Sequence, residues 1–68
     1  MRITKIQDDG SKFIIYGETG LAGKLREVFD NLGLGISVTE NDRAEANILY
    51  TENNRDIVLR ILDERTEK

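Results

Sequence analysis

The chain has 68 residues, of which 34% are charged and 38% hydrophobic, a formal net charge of −3, and no cysteine, histidine, tryptophan or proline. Without cysteine and histidine there are no disulfides, no thiolate nucleophile, no usual structural zinc ligands and no imidazole base, which excludes Ser-His-Asp and Cys-His catalysis. A chain of this length forms one domain, burying only about 60% of the surface exposed on unfolding, and it has little room for an enclosed active-site cavity.

Two short runs open the sequence. Met1–Ile6 and Lys12–Gly17, rich in Ile, Phe, Thr and Tyr, read as strands, and Gln7-Asp8-Asp9-Gly10-Ser11 between them is turn chemistry. Five linking residues suit a hairpin and are too few for a parallel crossover. Leu21, Leu25, Val28, Phe29 and Leu32 then form an apolar stripe at helical spacing, with Lys24, Arg26, Glu27 and Asp30 on the other side and Gly33 as the C-cap. Leu34–Glu40 alternates, with Leu34, Ile36 and Val38 on one face and Gly35, Ser37 and Thr39 on the other, which predicts a strand with one wet side. Asn41–Glu45 is a short polar link to a fourth strand, Ala46–Thr51. The last helix follows Asn53-Asn54, with Ile57, Val58, Ile61 and Leu62 as its core face, Leu59 off that stripe, and the charged residues 63–68 as a frayed tail.

The expected fold is therefore α+β in the order ββαββα, a single domain over residues 1–68. Each element has one apolar side to hide, which predicts two layers: a four-stranded sheet made from two hairpins, with both helices on one face. The halves also resemble each other. An offset of 33 pairs Ile3 with Ile36 and Asp9 with Asp42; an offset of 34 pairs Ile14-Ile15-Tyr16 with Ile48-Leu49-Tyr50; and the helices fit 33 again, through Leu25, Val28 and Phe29 with Val58, Ile61 and Leu62. This pattern is open to two explanations, an internal ββα duplication or the shared physics of two hairpin-plus-helix units.

Four features are candidates for function. The first is the run from Gly17 to Lys24, where a strand passes through Gly17, Thr19, Gly20 and Gly23 into a helix, a setting in which backbone N–H groups, the helix dipole and Lys24 hold an anion. It misses the phosphate-binding Gly-x4-Gly-Lys-Ser/Thr pattern by one residue and lacks the final hydroxyl. The glycine spacing resembles the Gly-x-x-Gly-x-x-Gly turn of atypical short-chain dehydrogenases and related Rossmann domains, with Thr19 before the second glycine, and the likeness runs through the helix to the strand 35–39. That resemblance implies a dinucleotide on the turn and an acid near Glu40 or Asp42 for its ribose. Sixty-eight residues do not hold the parallel strands and crossover helices such a domain needs. The packing explanation gives Gly17 to a strand end, Gly20 to a tight turn and Gly23 to close approach of helix and sheet.

The second candidate comprises the acidic turns Asp8-Asp9 and Glu40-Asn41-Asp42 with Glu45, which lack calcium-loop spacing and read as solvated hairpin tips, with no metal and no cofactor expected. The third is Tyr16 and Tyr50, which would form a platform for a partner if they share the wet face of the sheet. The fourth is that face itself, with Thr4, Ser37, Thr39, Asn47 and Thr51 as polar members, together with the sheet edges, which invite homodimerisation.

The five basic and five acidic residues of positions 1–33 cancel, so the net −3 lies in residues 34–68. No basic stripe marks a nucleic-acid module, and no apolar run approaches the roughly 18 residues of a membrane span or the core of a signal peptide. The expectation is a cytoplasmic, non-enzymatic interaction or regulatory module binding a larger protein partner, with a viral or mobile-element origin suggested by size and acidity. The alternatives are a phosphate- or nucleotide-ligand domain using Gly17–Lys24, and an artificial scaffold without biological function.

Overall fold

The computed structural model describes residues 1–66. Six elements follow the expected order: β1 (Ile3–Asp8), β2 (Lys12–Gly17), α1 (Leu21–Leu32), β3 (Val38–Glu40), β4 (Ala46–Leu49) and α2 (Arg55–Arg65). The strands form one antiparallel sheet in the order β1-β2-β4-β3, so the two hairpins meet through their second strands. Phe13 and Ile15 of β2, Ala46 and Ile48 of β4, and Ile3 and Val38 on the outer strands bury their side chains on one face. Leu21, Leu25 and Phe29 of α1, with Val58 and Leu62 of α2, complete the same core. Both helices therefore cover a single face, α1 over β2, β3 and β4 and α2 over β1.

Local chemistry explains the boundaries. Gly33 ends α1 in the left-handed region at φ 67°, where its N–H reaches the carbonyls of Phe29 and Asp30. In the first turn, the Asp9 side chain accepts from the Ser11 and Lys12 N–H groups while Gly10 takes a φ of 98°. Gly17 is needed for a different reason. A Cβ there would lie 2.2 Å from the Arg2 carbonyl oxygen, which accepts from the Glu18 N–H.

Several boundaries and faces differ from the sequence expectation. β1 starts at Ile3 and runs to Asp8, two residues later than predicted, because Gln7 and Asp8 still pair with Ile14 and Phe13, and a register shift between Ile3 and Lys5 interrupts its ladder. The bulge lets Ile3 and Ile6, three residues apart, both turn toward the helices, which regular alternation forbids. β3 shrinks to three residues, with Gly35 at φ 65° and Leu34 exposed before it. β4 ends at Leu49. Leu32 of α1 and Ile57 of α2 are also exposed, whereas Leu59 packs against the core in the place assigned to Ile57. Residues 63–65 are helical rather than frayed, and Thr66 forms an isolated parallel bridge with Ile3; residues 67 and 68 of the expected tail lie outside the described residues.

The halves superpose in pattern at one offset only. Phe13↔Ile48 and Ile15↔Ala46 are exchanged by an offset of 33. That offset also pairs core residues Ile3 with Ile36, Leu25 with Val58 and Phe29 with Leu62. The 34-residue alignment of Ile14-Ile15-Tyr16 with Ile48-Leu49-Tyr50 sets side chains from opposite faces of the sheet against each other.

Candidate functional site

The second face of the sheet carries no helix. Because Phe13, Ile15, Ala46 and Ile48 point into the core, their strand neighbours point away from it. The ladder arranges these neighbours in three rows: Lys5 beside Tyr16; Gln7, Ile14, Asn47 and Thr39 across all four strands; and Lys12 beside Leu49, with Ser37 next to Leu49. The Tyr16 hydroxyl donates to Gln7 Oε1 at 3.1 Å, and the Lys5 ammonium lies 5.3 Å from the Tyr16 ring centroid. Leu49 is 50% exposed, an apolar side chain between Lys12 and Ser37 in the row at the end of β4. Ser37 and Thr39 are exposed at the β3 side, as the sequence suggested.

Asn47 is the unusual member of this face. It is only 9% exposed, and its Oδ1 has neither water contact nor a hydrogen-bond partner. Burying an amide oxygen unpaired is unfavourable, and folded proteins rarely leave one so. Its alternation with Ala46 and Ile48 was the available signal for its face, but its burial comes from flanking side chains that no single run reveals.

Tyr50 does not join Tyr16. It lies on the helix side, with its ring centroid 4.6 Å from that of Phe13 and its hydroxyl donating to Asp8. Arg55, the first residue of α2, donates to Asp8 Oδ2 at 2.7 Å and places its guanidinium 5.6 Å from the Phe13 ring and 5.7 Å from the Tyr50 ring. The Tyr50 hydroxyl first, then Arg55 and the Gly10 N–H, hold the Asp8 carboxyl down to about 2. Asp8 is thus a tertiary clasp rather than a solvated hairpin tip. Thr4 sits at the bulge, with its hydroxyl on the Tyr16 carbonyl, and Thr51 lies past β4 in the turn into α2, where its N–H donates to Asn54 Oδ1.

The glycine-rich run lies where a βα turn is expected, at the end of β2. Its surroundings are not those of a nucleotide fold: β3, the strand after α1, is parallel to β2 but separated from it by antiparallel β4. A cleft of about 400 Å³ opens beside the run, lined in part by Gly17, Glu18, Thr19, Arg43 and Glu45. Gly20 caps α1 at φ 80° with no side-chain cap. Lys24 is already engaged, its ammonium 2.8 Å from Glu18 Oε2, while Glu18 also accepts from the Arg2 N–H. Lys24 and then Arg2 hold the Glu18 carboxyl below its usual range. Gly23 does not mediate close packing, since a Cβ there would meet nothing within 4 Å.

Asp8, Asp9 and Glu18 all titrate low, Asp9 chiefly through the Lys12 ammonium, away from the range a general acid needs at neutral pH. Among the described residues no group of three or more acidic side chains is placed to hold a metal ion, and no helix is long and apolar enough to cross a membrane. No protein family, curated protein or solved structure matches the chain.

Proposed function

We propose that the protein is a non-enzymatic interaction module that engages another protein through the helix-free face of its sheet, acting by occupying a partner's surface rather than by turning over a substrate. The observation that carries this reading is that helix-free face with the half-exposed Leu49 on it, in one row with Lys12 and Ser37 and beside Ile14 and Asn47. A half-exposed apolar side chain beside charged and polar ones, on a sheet face with no covering layer, is what a docking surface offers a partner. The reading is tested by placing a photo-crosslinking residue at Leu49 and, as a control, at exposed Glu27 on α1, in extracts of the source organism. Capture of a defined protein from position 49 alone is the expected result; equal capture from both positions overturns the reading.

A phosphate or nucleotide ligand on Gly17–Lys24 is served less well. The cation meant for the anion is neutralised by Glu18, and that carboxylate lines the same cleft. Amide chemical shifts in a titration with ATP or inorganic phosphate separate the two readings, because a ligand of that kind moves residues 17–25 before any other.

A further inference from the structure

We infer that the outer edge of β1 takes an extended segment of another protein as a fifth strand, one whose side chains on the helix side run basic, apolar, basic at every second position. This surface is separate from the helix-free face. The two edges of the sheet differ. On β3 the edge is closed: Arg26, one residue after the core residue Leu25, reaches outward and donates to the Val38 carbonyl at 3.0 Å. The offset of 33 that relates the halves puts Leu59, one residue after the core residue Val58, in the place of Arg26. β2 and β4 are antiparallel and each leads into its helix, so α2 runs opposite to α1 and its Leu59 flank points the other way, past β1. A leucine side chain bonds no main-chain group, so what is guarded on β3 is open on β1.

The edge also has the main chain for a further strand. The Asp9 N–H donates to the Lys12 carbonyl, and antiparallel alternation then turns Gln7 and Lys5 toward β2 and the N–H and C=O groups of Ile6 and Asp8 outward. The pairs from Lys5↔Tyr16 to Asp8↔Phe13 are unbroken, and Thr66 already makes a parallel bridge beside Ile3, short of this run. Ile6 and Leu59 pack against the core while staying partly exposed, and a side chain opposite Ile6 on an added strand meets both. Asp56 and Asp63 lie on the Leu59 flank, three residues before it and four after. Asp56 has one long ion pair, 3.6 Å to Arg55, and Asp63 has none among the described residues. Because α2 begins beside Asp8, through Arg55, and ends beside Ile3, through Thr66, these carboxylates stand over the positions two residues either side of the apolar one. Four strand residues span about 14 Å and seven helical residues about 10 Å, a difference that two lysine or arginine stems close. Main-chain bonds supply the affinity of such an addition and alternate side chains its selectivity.

The test is a titration of the full chain with the end-blocked synthetic peptide Thr-Lys-Thr-Val-Thr-Lys-Thr to about 2 mM, followed by amide chemical shifts and hydrogen exchange. The expected result is movement of the Ile6, Asp8 and Leu59 amides, with slowed exchange at Ile6 and Asp8, while Thr39 on the β3 edge and Leu49 on the helix-free face stay fixed. Leu59→Arg, which gives β1 the guard that β3 has, and Asp63→Lys each weaken binding about tenfold while circular dichroism reports an unchanged fold. Asp63 is exposed, so Asp63→Lys still reads the effect should Leu59→Arg fail to fold. No movement at Ile6 and Asp8 at the highest concentration, or equal movement from the same peptide with glutamate in place of lysine, overturns the inference. So does movement of those amides on dilution without peptide, which would make the occupant a second copy of the chain. Each of these failures leaves the helix-free face untouched, because capture from position 49 is read at a different surface.

Discussion

Asp8 and Tyr50, 42 residues apart, meet through a hydrogen bond from the tyrosine hydroxyl to the carboxylate, across the buried ring of Phe13. The strand order makes the contact: β2 lies between β1 and β4, so the last residue of β1 and the first residue past β4 flank Phe13 on the helix side. Arg55 closes the group from α2, which ties the start of the second helix to the first hairpin.

Acid should loosen that clasp. Asp8 is held at about 2, against an ordinary 3.8, by Tyr50 first and Arg55 second. A carboxylate whose folded value is depressed contributes stability above its unfolded value and loses it as pH falls through the folded value, so the window is about pH 4 to 2. Asp9 and Glu18 are depressed too and act in the same direction. Thermal denaturation followed from pH 6 to pH 2 should show the midpoint dropping in that window. Asp8→Asn should lower the midpoint at pH 6 and flatten the acid limb, and an acid limb identical to that of the unaltered chain would refute the assignment.

Two glycines of one run should respond in opposite ways to the same substitution. Gly17→Ala drives a methyl group into the Arg2 carbonyl and close to Leu21, and is expected to cost about 1–3 kcal/mol, as overpacking does. Gly23→Ala adds a methyl group in open space within α1 and should stabilise by about 0.5–1 kcal/mol through helix propensity. Denaturant midpoints decide the matter, and a destabilising Gly23→Ala would point to a demand on that position beyond helix formation.

The β3–β4 turn holds a correctable strain. Asn41 organises it, its Oδ1 accepting from the Arg43 and Glu45 N–H groups, and Ala44 is left in the left-handed region at φ 61°. That conformation costs a non-glycine residue about 1–2 kcal/mol, against about 0.4–1 kcal/mol of extra unfolded-state entropy for glycine. Ala44→Gly should therefore stabilise by about 0.5 kcal/mol or more, measurable as a higher denaturant midpoint with an unchanged slope.

What was legible in the sequence was what local chemistry decides. β2 and α1 fall at their predicted ends because a turn and a glycine cap fix them, and the ββαββα order follows from link lengths too short for crossovers. β1 runs on into the predicted turn because Gln7 and Asp8 still pair with β2, and its faces were misjudged because a bulge at Thr4 breaks the two-residue period; no single strand shows either. The core face of α2 was turned because Ile57-Val58-Leu59 is apolar on three sides, and only the packing against β1 selects Val58 and Leu59 over Ile57. Tyr50 is two residues after Ile48 and so shares its core-side face, while Tyr16 follows core-facing Ile15 and points the other way. Alternation held that answer, but it becomes readable only once the pairing of β2 with β4 shows which isoleucines face inward.

The same pairing leaves two edges, and the β3 edge carries its own protection. Arg26, on the outer flank of α1, donates to the Val38 carbonyl of β3 at 3.0 Å through Nη2, occupying a main-chain acceptor of a strand only three residues long. An unguarded edge pairs with other chains, and a covering cation prevents that. Arg26→Ala should leave the thermal midpoint nearly unchanged, since the arginine is exposed on the helix, yet raise slow aggregation under conditions in which the unaltered chain stays clear. Light scattering at matched concentration reads the difference. Because the edge and the helix-free face are separate surfaces, combining Arg26→Ala with Leu49→Lys should still aggregate; loss of aggregation in the double variant would mean that association passes through the face and that Arg26 guards nothing.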